Sequence, residues 1–260
     1  MPTALITGAT SGIGKAFADR LAEKSFNLVL LARNEIRLEK IARELRQKKG
    51  IQVKTIPFDL TESDAGKRVF ETMQTDNTTV DWLVNNAGVG DYGVFEASDR
   101  DRQLDIVRLN ILALTDLTHC FLPPMLEQRS GVIINVGSIA SFQPMPYWAT
   151  YGASKAFVLS FSEALRAEVR DRGVKVLALC PGPTQTAFFD RANFPQQTQS
   201  TGLSLADPDT VVQQAIEAIE ADKQTIVGGA SLLNFVVNLQ RFLPREWMIE
   251  LLKQQFQPNR

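Results

Sequence analysis

The sequence has few of the residue types that several kinds of site require. His119 is the only histidine among 260 residues, so a Ser-His-Asp triad or a multi-histidine metal site would have to be built on it. Its place in the middle of a predicted helix favours a structural role, and we predict no metal site. Cys120 and Cys180, the only cysteines, lie in apolar surroundings without metal-ligand spacing. Buried thiols in a reducing compartment are therefore favoured over a disulfide.

A strong net charge and a long apolar run are also missing. The formal net charge is −1, so the chain offers no basic surface for a nucleic-acid backbone. No apolar run approaches the ~20 residues that span a bilayer. Met1-Pro2-Thr3 leads directly into the first predicted strand, without a signal peptide. These absences predict a cytoplasmic protein that does not bind nucleic acid.

The sequence does contain a regular alternation of short apolar strands and amphipathic helices. Strands are predicted at 3–6, 27–31, 51–56, 81–84, 131–136, 174–179 and 224–227, and helices near 12–24, 34–48, 61–75, 101–127, 151–171 and 208–222. Continuous apolar strands fit a parallel sheet covered on both faces, and this order implies right-handed βαβ units. We predict an α/β fold, a single Rossmann domain over 1–260 whose doubly wound parallel sheet has about seven strands.

Two stretches interrupt this alternation. Residues 183–206 are rich in Gln, Thr, Ser and Phe and have no clear period, which is typical of a lid or binding loop. Residues 231–256 return to an amphipathic pattern that is interrupted at Pro244. We interpret the first as a substrate-loop insertion and the second as a C-terminal extension.

A glycine-rich turn follows the first predicted strand. Gly8, Gly12 and Gly14 allow a tight turn and a close approach to a pyrophosphate, and the helix that follows offers amide donors and a favourable dipole. Thr10, Ser11 and Ile13 lie between these glycines. The spacing is Gly-x-x-x-Gly-x-Gly, and packing alone is the alternative explanation. The position between a strand and a helix favours cofactor binding.

The end of the second predicted strand carries no acid. An NAD site usually places a carboxylate there for the ribose 2′-hydroxyl, whereas this chain has Ala32-Arg33-Asn34. Arg33 suits a 2′-phosphate, so NADPH is predicted over NADH; the alternative is that Arg33 caps the helix start. Asp59-Leu60 follows the third strand, where the carboxylate suits an adenine amino group or a helix N-cap. Asn86-Ala87-Gly88 follows the fourth strand and is small where a dinucleotide must pass.

Tyr151 and Lys155 place a phenol and an ammonium on one helix face. A free tyrosine titrates near pH 10, so it serves as a proton donor or acceptor near neutrality only if its phenolate is stabilised. A charge from Lys155 that moved this pKa by about three units would contribute roughly 4 kcal/mol. Ser138 ends a buried strand upstream, where its hydroxyl suits a carbonyl oxygen. Taken alone, the pair is more often an ordinary helix surface pair.

Together these motifs resemble the classical short-chain dehydrogenase/reductase family over roughly residues 3–230. The motifs that carry the resemblance are Thr7-Gly8-x-x-x-Gly12-x-Gly14, Asn85-Asn86-Ala87-Gly88, Asn110, Ser138, Tyr151-x-x-x-Lys155 and Pro181-Gly182. They occur in the family's order and spacing, without a departure at a catalytic position. The Ala32-Arg33-Asn34 pattern is similar to that of NADPH-preferring members. The tail is similar to those of hydroxysteroid and long-chain ketoacyl reductases.

The resemblance implies a role for each catalytic residue. Tyr151 would be the general acid when a ketone is reduced and the base in reverse, and Lys155 would lower its pKa and bond the nicotinamide ribose. Ser138 would position the substrate oxygen. Asn110 would hold a water in a proton relay to Lys155; a satisfied core amide is the alternative.

The resemblance also implies cofactor contacts and an assembly. Pro181, Gly182 and Thr184 would pass under the nicotinamide, and Thr186 would bond a phosphate or carboxamide. Members commonly form homodimers or homotetramers through the helices around 101–127 and 151–171. The expected partner is a small-molecule carbonyl or alcohol, converted with NADPH or NADP+.

The sequence says less about the substrate than about the cofactor. An apolar pocket for a lipid-like or aromatic carbonyl is predicted from Val89, Tyr92, Val94, Gln143, Met145, Tyr147, Trp148, Phe188, Phe189 and Phe194, part of which alternatively belong to the core. Arg191 is the one cation noted there. The amphipathic tail has three interpretations: a cap on this pocket, a subunit interface, or peripheral contact with a membrane surface.

Two other function classes are alternatives to a carbonyl reductase. An NADPH-binding redox-sensing regulator would need no proton donor, so the complete Ser138, Tyr151 and Lys155 set argues against it. A Rossmann-like methyltransferase usually keeps an acid at the end of the second strand and needs no Tyr-x-x-x-Lys. The sequence therefore favours an oxidoreductase.

Overall fold

Seven parallel strands form one sheet at the centre of the computed structural model, which describes residues 1–194, 205–229, 237 and 244–258. The strands are β1 (Thr3–Thr7), β2 (Asn27–Ala32), β3 (Val53–Pro57), β4 (Trp82–Asn85), β5 (Gly131–Val136), β6 (Val174–Pro181) and β7 (Thr225–Gly228). Their order is β3-β2-β1-β4-β5-β6-β7, and all neighbours run parallel. The predicted doubly wound parallel sheet is confirmed.

Helices cover both faces of this sheet. The longer ones in the described part of the chain are α1 (Gly12–Glu23), α2 (Glu35–Lys49), α3 (Ala65–Thr75), α4 (Arg100–Val107), α5 (Leu114–Glu127), α6 (Ala149–Val169), α8 (Pro208–Glu220) and α9 (Arg245–Phe256), and a single turn forms α7 (Phe188–Arg191). Helices α1, α2 and α8 bury Phe17 and Ile216 in one core. Helices α3, α5 and α6 bury Leu117 and Leu165 in a second core on the opposite face.

Local sequence signals set several helix bounds. The Asn34 side chain accepts a hydrogen bond from the Arg37 N–H and so caps the start of α2. Gly50 ends α2 with φ +65°, a conformation that glycine adopts without a steric cost. Asp99 caps α4 by accepting from the Asp101 N–H. These caps explain why the predicted helices begin and end close to their observed limits.

The prediction that no apolar stretch is long enough to span a bilayer is wrong for one helix. Helix α4, a π-helical turn at Arg108–Ala113 and α5 are continuous over Arg100–Glu127, and within the described ranges this is the one helix with the length and composition to cross a membrane. The sequence reading missed it because polar residues divide it into shorter apolar runs. Leu117 and Phe121 from this helix lie in the core beneath the sheet. Its apolar character therefore includes the residues that pack against the strands.

The strand order reverses between β1 and β4, so the loops that leave the carboxyl ends of these strands diverge. Such a crevice is where open α/β sheets bind ligands. The predicted loop 183–206 approaches it and contains α7, which the aperiodic sequence did not reveal; residues 195–204 lie outside the described part. Of the predicted extension 231–256, the structure describes Val237 and the chain from Pro244, including α9.

Candidate active site

One cavity of about 910 Å³ extends from the glycine-rich turn to α9 along the carboxyl ends of the strands. It brings together nearly all the residues that the sequence singled out. Those lining it are Gly8, Thr10, Ser11, Gly12, Ile13, Arg33, Asn34, Asp59, Leu60, Asn86, Ala87, Gly88, Ser138, Tyr151, Lys155, Pro181, Gly182, Thr184 and Thr186. Among the residues predicted for catalysis or cofactor binding, Gly14 and Asn110 do not line it.

The glycine-rich turn is shaped by close backbone packing. Gly8 and Gly12 have φ of +66° and +53°, which favours glycine at both positions. A Cβ on Gly14 would lie 2.4 Å from the Gly8 carbonyl oxygen, so Gly14 lets α1 pack against the turn and does not face the cavity. Ser11 is the N-cap of α1, and neither a side-chain cap nor an acidic residue occupies the first turn. The first N–H groups of α1 are therefore free of a competing carboxylate.

The loop after β4 closes the other side of this turn. The Thr7 hydroxyl accepts hydrogen bonds from the N–H groups of Asn86 and Ala87, both at 2.9 Å. The Asn86 side-chain amide donates to the Thr7 carbonyl at 2.9 Å. Asn86 thus holds two strand ends together, and Asn86, Ala87 and Gly88 line the cavity next to it. These small residues suit a dinucleotide that passes close to the backbone.

Arg33, Asn34 and Asp59 meet at the far end of the cavity. Arg33 is 71% exposed and its Nη1 lies 3.6 Å from the Asp59 carboxylate. Burial tends to raise the pKa of Asp59, but hydrogen bonds from Thr61 and the Arg33 charge outweigh it and lower that pKa. Asn34, not Arg33, caps α2, which removes the capping alternative for Arg33.

Arg37 also lines this end, and the sequence reading did not select it. It lies one helical turn after Asn34, and this spacing was the signal that would have identified it. Arg33 and Arg37 bring two positive charges to a site that has no acid at the tip of β2. The geometry therefore suits an anionic substituent on the ribose.

Tyr151, Lys155 and Ser138 meet in the middle of the cavity. Tyr151 and Lys155 lie one turn apart on α6 and are only 6% and 5% exposed. The Lys155 ammonium donates to the Val136 carbonyl at 2.8 Å and lies 5.8 Å from the centre of the Tyr151 ring. Ser138 follows β5, and its hydroxyl accepts from the Ala140 N–H at 3.1 Å. A phenol, an ammonium and a hydroxyl thus face one space.

Burial dominates the protonation of this group. It raises the pKa of Tyr151 to about 12, although a hydrogen bond with Ser138 acts in the opposite direction. It also lowers the pKa of Lys155 to about 8. Burial, which removes the phenolate from water, is thus the main cause of the high Tyr151 pKa. That Lys155 lowers this pKa stays a prediction.

Asn110 lies behind the cavity, within the π-helical turn. Its amide exchanges two hydrogen bonds with the Val89 backbone, at 2.9 and 3.0 Å, and donates to the Ser154 hydroxyl at 2.9 Å. These bonds agree with the alternative of a satisfied core amide. Its role in a proton relay stays a prediction. A Cβ on Gly88 would lie 3.2 Å from Asn110 and 3.3 Å from Lys155, so any larger residue would press on the place where these two side chains converge.

Aromatic side chains form the wall next to Tyr151. The centre of its ring lies 4.9 Å from that of Trp148 and 5.3 Å from that of Phe188. Of the ten residues expected in an apolar pocket, seven line the cavity: Val89, Gln143, Met145, Trp148, Phe188, Phe189 and Phe194. Val94 is corrected to a surface position because it is 43% exposed.

Tyr92 and Tyr147 are also corrected, because neither faces the cavity. Tyr92 lies behind the wall, where its ring contacts those of Trp148 and Phe194 and its hydroxyl donates to the Phe256 carbonyl at 2.8 Å. The Tyr147 carbonyl accepts from the Gly93 N–H at 2.9 Å. Both tyrosines support the wall from outside.

Helix α9 closes the apolar end of the cavity. Leu252, Gln255 and Phe256 line it together with Val237, and the Phe256 ring lies 6.2 Å from that of Phe194. Of the three interpretations of the tail, the contacts of α9 agree with the cap. The sequence identified the tail as amphipathic but gave no direction for its apolar face.

The two cysteines and His119 take no part in the cavity lining. Both cysteines are free, as predicted. Cys180 is buried and Cys120 partly buried, and burial raises their pKa values to about 12 and 11. His119 is exposed on α5. Among the described residues no cluster of three or more His, Cys, Asp or Glu side chains has the geometry of a metal site.

Comparison with known proteins places this arrangement in one family. The family model for short chain dehydrogenase matches residues 2–197. A very-long-chain 3-oxoacyl-CoA reductase from Anas platyrhynchos is 33% identical over 230 residues, which cover 85% of this chain and 70% of that protein. Other reductases of that name are covered over 52 to 76% of their length.

Two solved structures are similar over nearly the whole chain. A short-chain dehydrogenase from Sphingobium yanoikuyae in complex with NADPH is 30% identical with a TM-score of 0.81, covering 94% of this chain and 97% of that one. A bulky-bulky ketone specific alcohol dehydrogenase from Comamonas testosteroni is 29% identical with a TM-score of 0.78, covering 94% and 96%.

Proposed function

Because the chain belongs to the short chain dehydrogenase family, we propose that it is an NADPH-dependent oxidoreductase that interconverts a bulky apolar ketone and its alcohol. One observation carries the proposal. Tyr151, Lys155 and Ser138 converge in a cavity that continues on one side to the glycine-rich turn and on the other to an aromatic wall.

The proposed cofactor is NADPH, and three features support it. The glycine-rich turn offers uncapped N–H groups for a pyrophosphate, and Gly88 leaves space for the nicotinamide half. Arg33 and Arg37 lie where an NAD site would have an acid. The similar structure from Sphingobium yanoikuyae contains NADPH. When bound, the cofactor supplies the hydride.

In the proposed reduction, Tyr151 donates the proton to the carbonyl oxygen. Its high pKa keeps it protonated before the reaction. Lys155 still carries a proton at neutral pH because its lowered pKa of about 8 lies above 7, so a cation on the same helix face offsets the phenolate that forms. Ser138 holds the oxygen toward Tyr151 through its hydroxyl. The same groups act in reverse when an alcohol is oxidised.

The substrate is proposed to be bulky and apolar at its carbonyl end. Trp148 and Phe188 present rings beside Tyr151, and Phe194 packs against Trp148. Helix α9 adds Leu252 and Phe256. The names of the similar proteins, a very-long-chain 3-oxoacyl-CoA reductase and a bulky ketone alcohol dehydrogenase, support the same class. We include long-chain 3-oxoacyl thioesters and bulky ketones as candidates.

Homo-oligomer formation is a further part of the proposal. Leu112 between α4 and α5 is 59% exposed, and Phe157 on α6 is 36% exposed. The Phe157 ring stacks on that of Phe161, with centres 5.7 Å apart. These apolar side chains lie on the two helical stretches that the family resemblance implies for subunit contact.

The test of the proposed function is NADPH oxidation on a panel of bulky ketones, small ketones and 3-oxoacyl thioesters, with NADH in parallel. We expect turnover of the bulky substrates, and a loss of about 10²–10⁴-fold in Tyr151→Phe with NADPH binding retained. Near-normal turnover in Tyr151→Phe would contradict the mechanism. Tight NADPH binding without turnover of any compound would contradict the reductase assignment for this substrate class.

A further inference from the structure

Arg191 joins the substrate loop to the glycine-rich turn. Its Nη2 donates to the Ser11 hydroxyl at 3.3 Å, and both residues line the cavity. Thr186 reinforces this approach, since its methyl carbon lies 2.7 Å from the position that a Cβ on Gly12 would take. The loop therefore crosses directly over the turn that is proposed to hold the pyrophosphate.

The charge of Arg191 has no carboxylate partner in the described ranges, whereas Arg33 and Arg102, which also line the cavity, pair with Asp59 and Asp91. The residues outside those ranges include no Asp or Glu. The first turn of α1 contains no acid, and the Arg191 guanidinium adds a positive charge to the attraction that this helix N-terminus already has for an anion. A phosphate oxygen is the partner that this chemistry favours.

A polar network holds the Arg191 backbone in place. Arg102 donates to the Arg191 carbonyl at 2.9 Å and lies 3.3 Å from the Asp91 carboxylate. Asp91 is only 8% exposed and also accepts from the side chains of Gln103 and Asn193, both at 3.0 Å. The network bonds the Arg191 carbonyl and the Asn193 side chain, so it directs the Arg191 side chain toward Ser11, whereas none of these bonds reaches the Phe188 end of α7.

Helix α7 carries two contacts at its opposite ends. Phe188 at its start packs on the Tyr151 ring, and Arg191 at its end reaches Ser11. A single helical turn moves as a unit because its hydrogen bonds link the two ends. An anion that fixes Arg191 would therefore also fix the aromatic wall beside Tyr151.

We propose that Arg191 is a cofactor-phosphate ligand contributed by the substrate loop, and that NADPH binding orders the Phe188 wall through it. This inference rests on the proposed function, because it requires a dinucleotide in the cavity. It adds a residue that the glycine-rich turn and the end of β2 do not include. The phosphate is either the diphosphate or the 2′-phosphate, and the two differ in their consequence for NADH.

The first experiment measures the dissociation constants of NADPH and NADH by fluorescence titration of the protein without substrate. Arg191→Gln is compared with wild type, with Arg191→Lys as the conservative variant. Arg100→Gln is the matched control, because Arg100 is exposed on α4 and pairs only with its neighbour Asp101 among the described side chains. We expect Arg191→Gln to weaken NADPH binding about tenfold, equal to about 1.4 kcal/mol, with partial recovery in Arg191→Lys.

The NADH titration distinguishes the two phosphates. An equal loss for NADH identifies the diphosphate, and a loss confined to NADPH identifies the 2′-phosphate. Unchanged NADPH binding in Arg191→Gln would overturn the proposal, and so would an equal loss in Arg100→Gln. If wild type bound neither dinucleotide, the proposed function itself would fail, which is a separate result.

The second experiment tests the order imposed on the wall. Hydrogen exchange of 188–194 is measured with and without saturating NADPH. We expect NADPH to slow exchange in wild type and in Arg100→Gln, but much less in Arg191→Gln at a concentration that saturates that variant. Equal protection in Arg191→Gln and wild type would overturn the coupling to Phe188.

Discussion

The two ends of the cavity are built from different parts of the chain. At the cofactor end, strand ends and glycine backbone form the surface, and Gly8, Gly12 and Gly88 leave room where a side chain would intrude. At the substrate end, side chains from α6, α7, α9 and the residues next to them form the surface. The rings of Trp148, Phe194 and Phe256 contact one another in turn, although they lie in separate segments of the sequence. Backbone defines the first end and side-chain packing the second.

This difference between the two ends separates the features that set the reaction class from those that set the substrate. A backbone surface tolerates little change, because an added methyl group meets atoms that cannot move aside. A wall of side chains changes its shape with each substitution, while the fold of the protein stays the same. The reaction class therefore follows from the first end, whereas the substrate depends on the second. Tyr151 and Lys155 stand at the junction, and the largest effects are expected there.

Lys155→Met is expected to abolish turnover and to stabilise the protein without cofactor. Loss of the cation that offsets the phenolate should lower kcat by at least about a hundredfold. Burial lowers the Lys155 pKa from 10.5 to about 8, which costs the folded state about 3 kcal/mol at neutral pH. Losing the bond to Val136 offsets about 1 kcal/mol of this, so unfolding should require about 2 kcal/mol more at pH 7. Turnover assays and urea unfolding measure the two effects.

The pH dependence of unfolding shows whether the charge of Lys155 causes the stability gain of Lys155→Met. Because the folded pKa lies below the unfolded one, the penalty of Lys155 is present in full below pH 8 and declines as the pH rises toward 10.5. The stability gain of Lys155→Met should thus shrink by about 1 kcal/mol between pH 7 and 9. A gain that is constant over this window would show that methionine packing, not the charge, is responsible.

Gly14→Ala should damage the cofactor end although only one methyl group is added. The new Cβ would lie 2.4 Å from the Gly8 carbonyl oxygen, so α1 or the turn must shift. We expect a loss of about 1–3 kcal/mol in unfolding free energy and weaker NADPH binding. Gly50→Ala is the control, because its Cβ meets nothing within 4 Å and only its φ of +65° is strained. Equal NADPH affinity in both variants would argue against a backbone-defined site.

The same contrast explains what the sequence could predict. The sheet, the helix order and the residues at strand ends were predictable, because strand periodicity and motif spacing are local and the carboxyl ends of parallel strands share one edge. Arg37 was missed although it is a local feature. The contact of Tyr92 with Phe256 joins residues 164 positions apart, and that of Arg191 with Ser11 joins residues 180 positions apart. Such contacts depend on tertiary packing that no local pattern specifies.

Arg33→Ala should change the choice of cofactor at the cofactor end. Arg33 is mostly exposed, and within the described part of the chain its one ion pair is with Asp59, so its guanidinium can reach a 2′-phosphate. We expect the NADPH affinity to fall about tenfold with NADH affinity unchanged, measured by titration. Arg43→Ala, on an exposed position of α2, should leave both unchanged. Equal weakening of NADPH and NADH would contradict the assignment of the 2′-phosphate to Arg33.

Tyr92→Phe should give the smallest effect and confine it to the substrate end. The variant removes the hydroxyl that bonds the Phe256 carbonyl at 2.8 Å and keeps the ring contacts with Trp148 and Phe194. A neutral hydrogen bond contributes about 1 kcal/mol, so α9 should cap the cavity less firmly and KM for bulky ketones should rise about fivefold. Small ketones and NADPH affinity should be unaffected, because neither depends on the position of α9. Tyr147→Phe, which removes a neighbouring hydroxyl and keeps the bond to Phe256, is the matched control. If Tyr92→Phe weakened NADPH binding as much as it raised KM, the two ends would be coupled and the contrast between them would not hold.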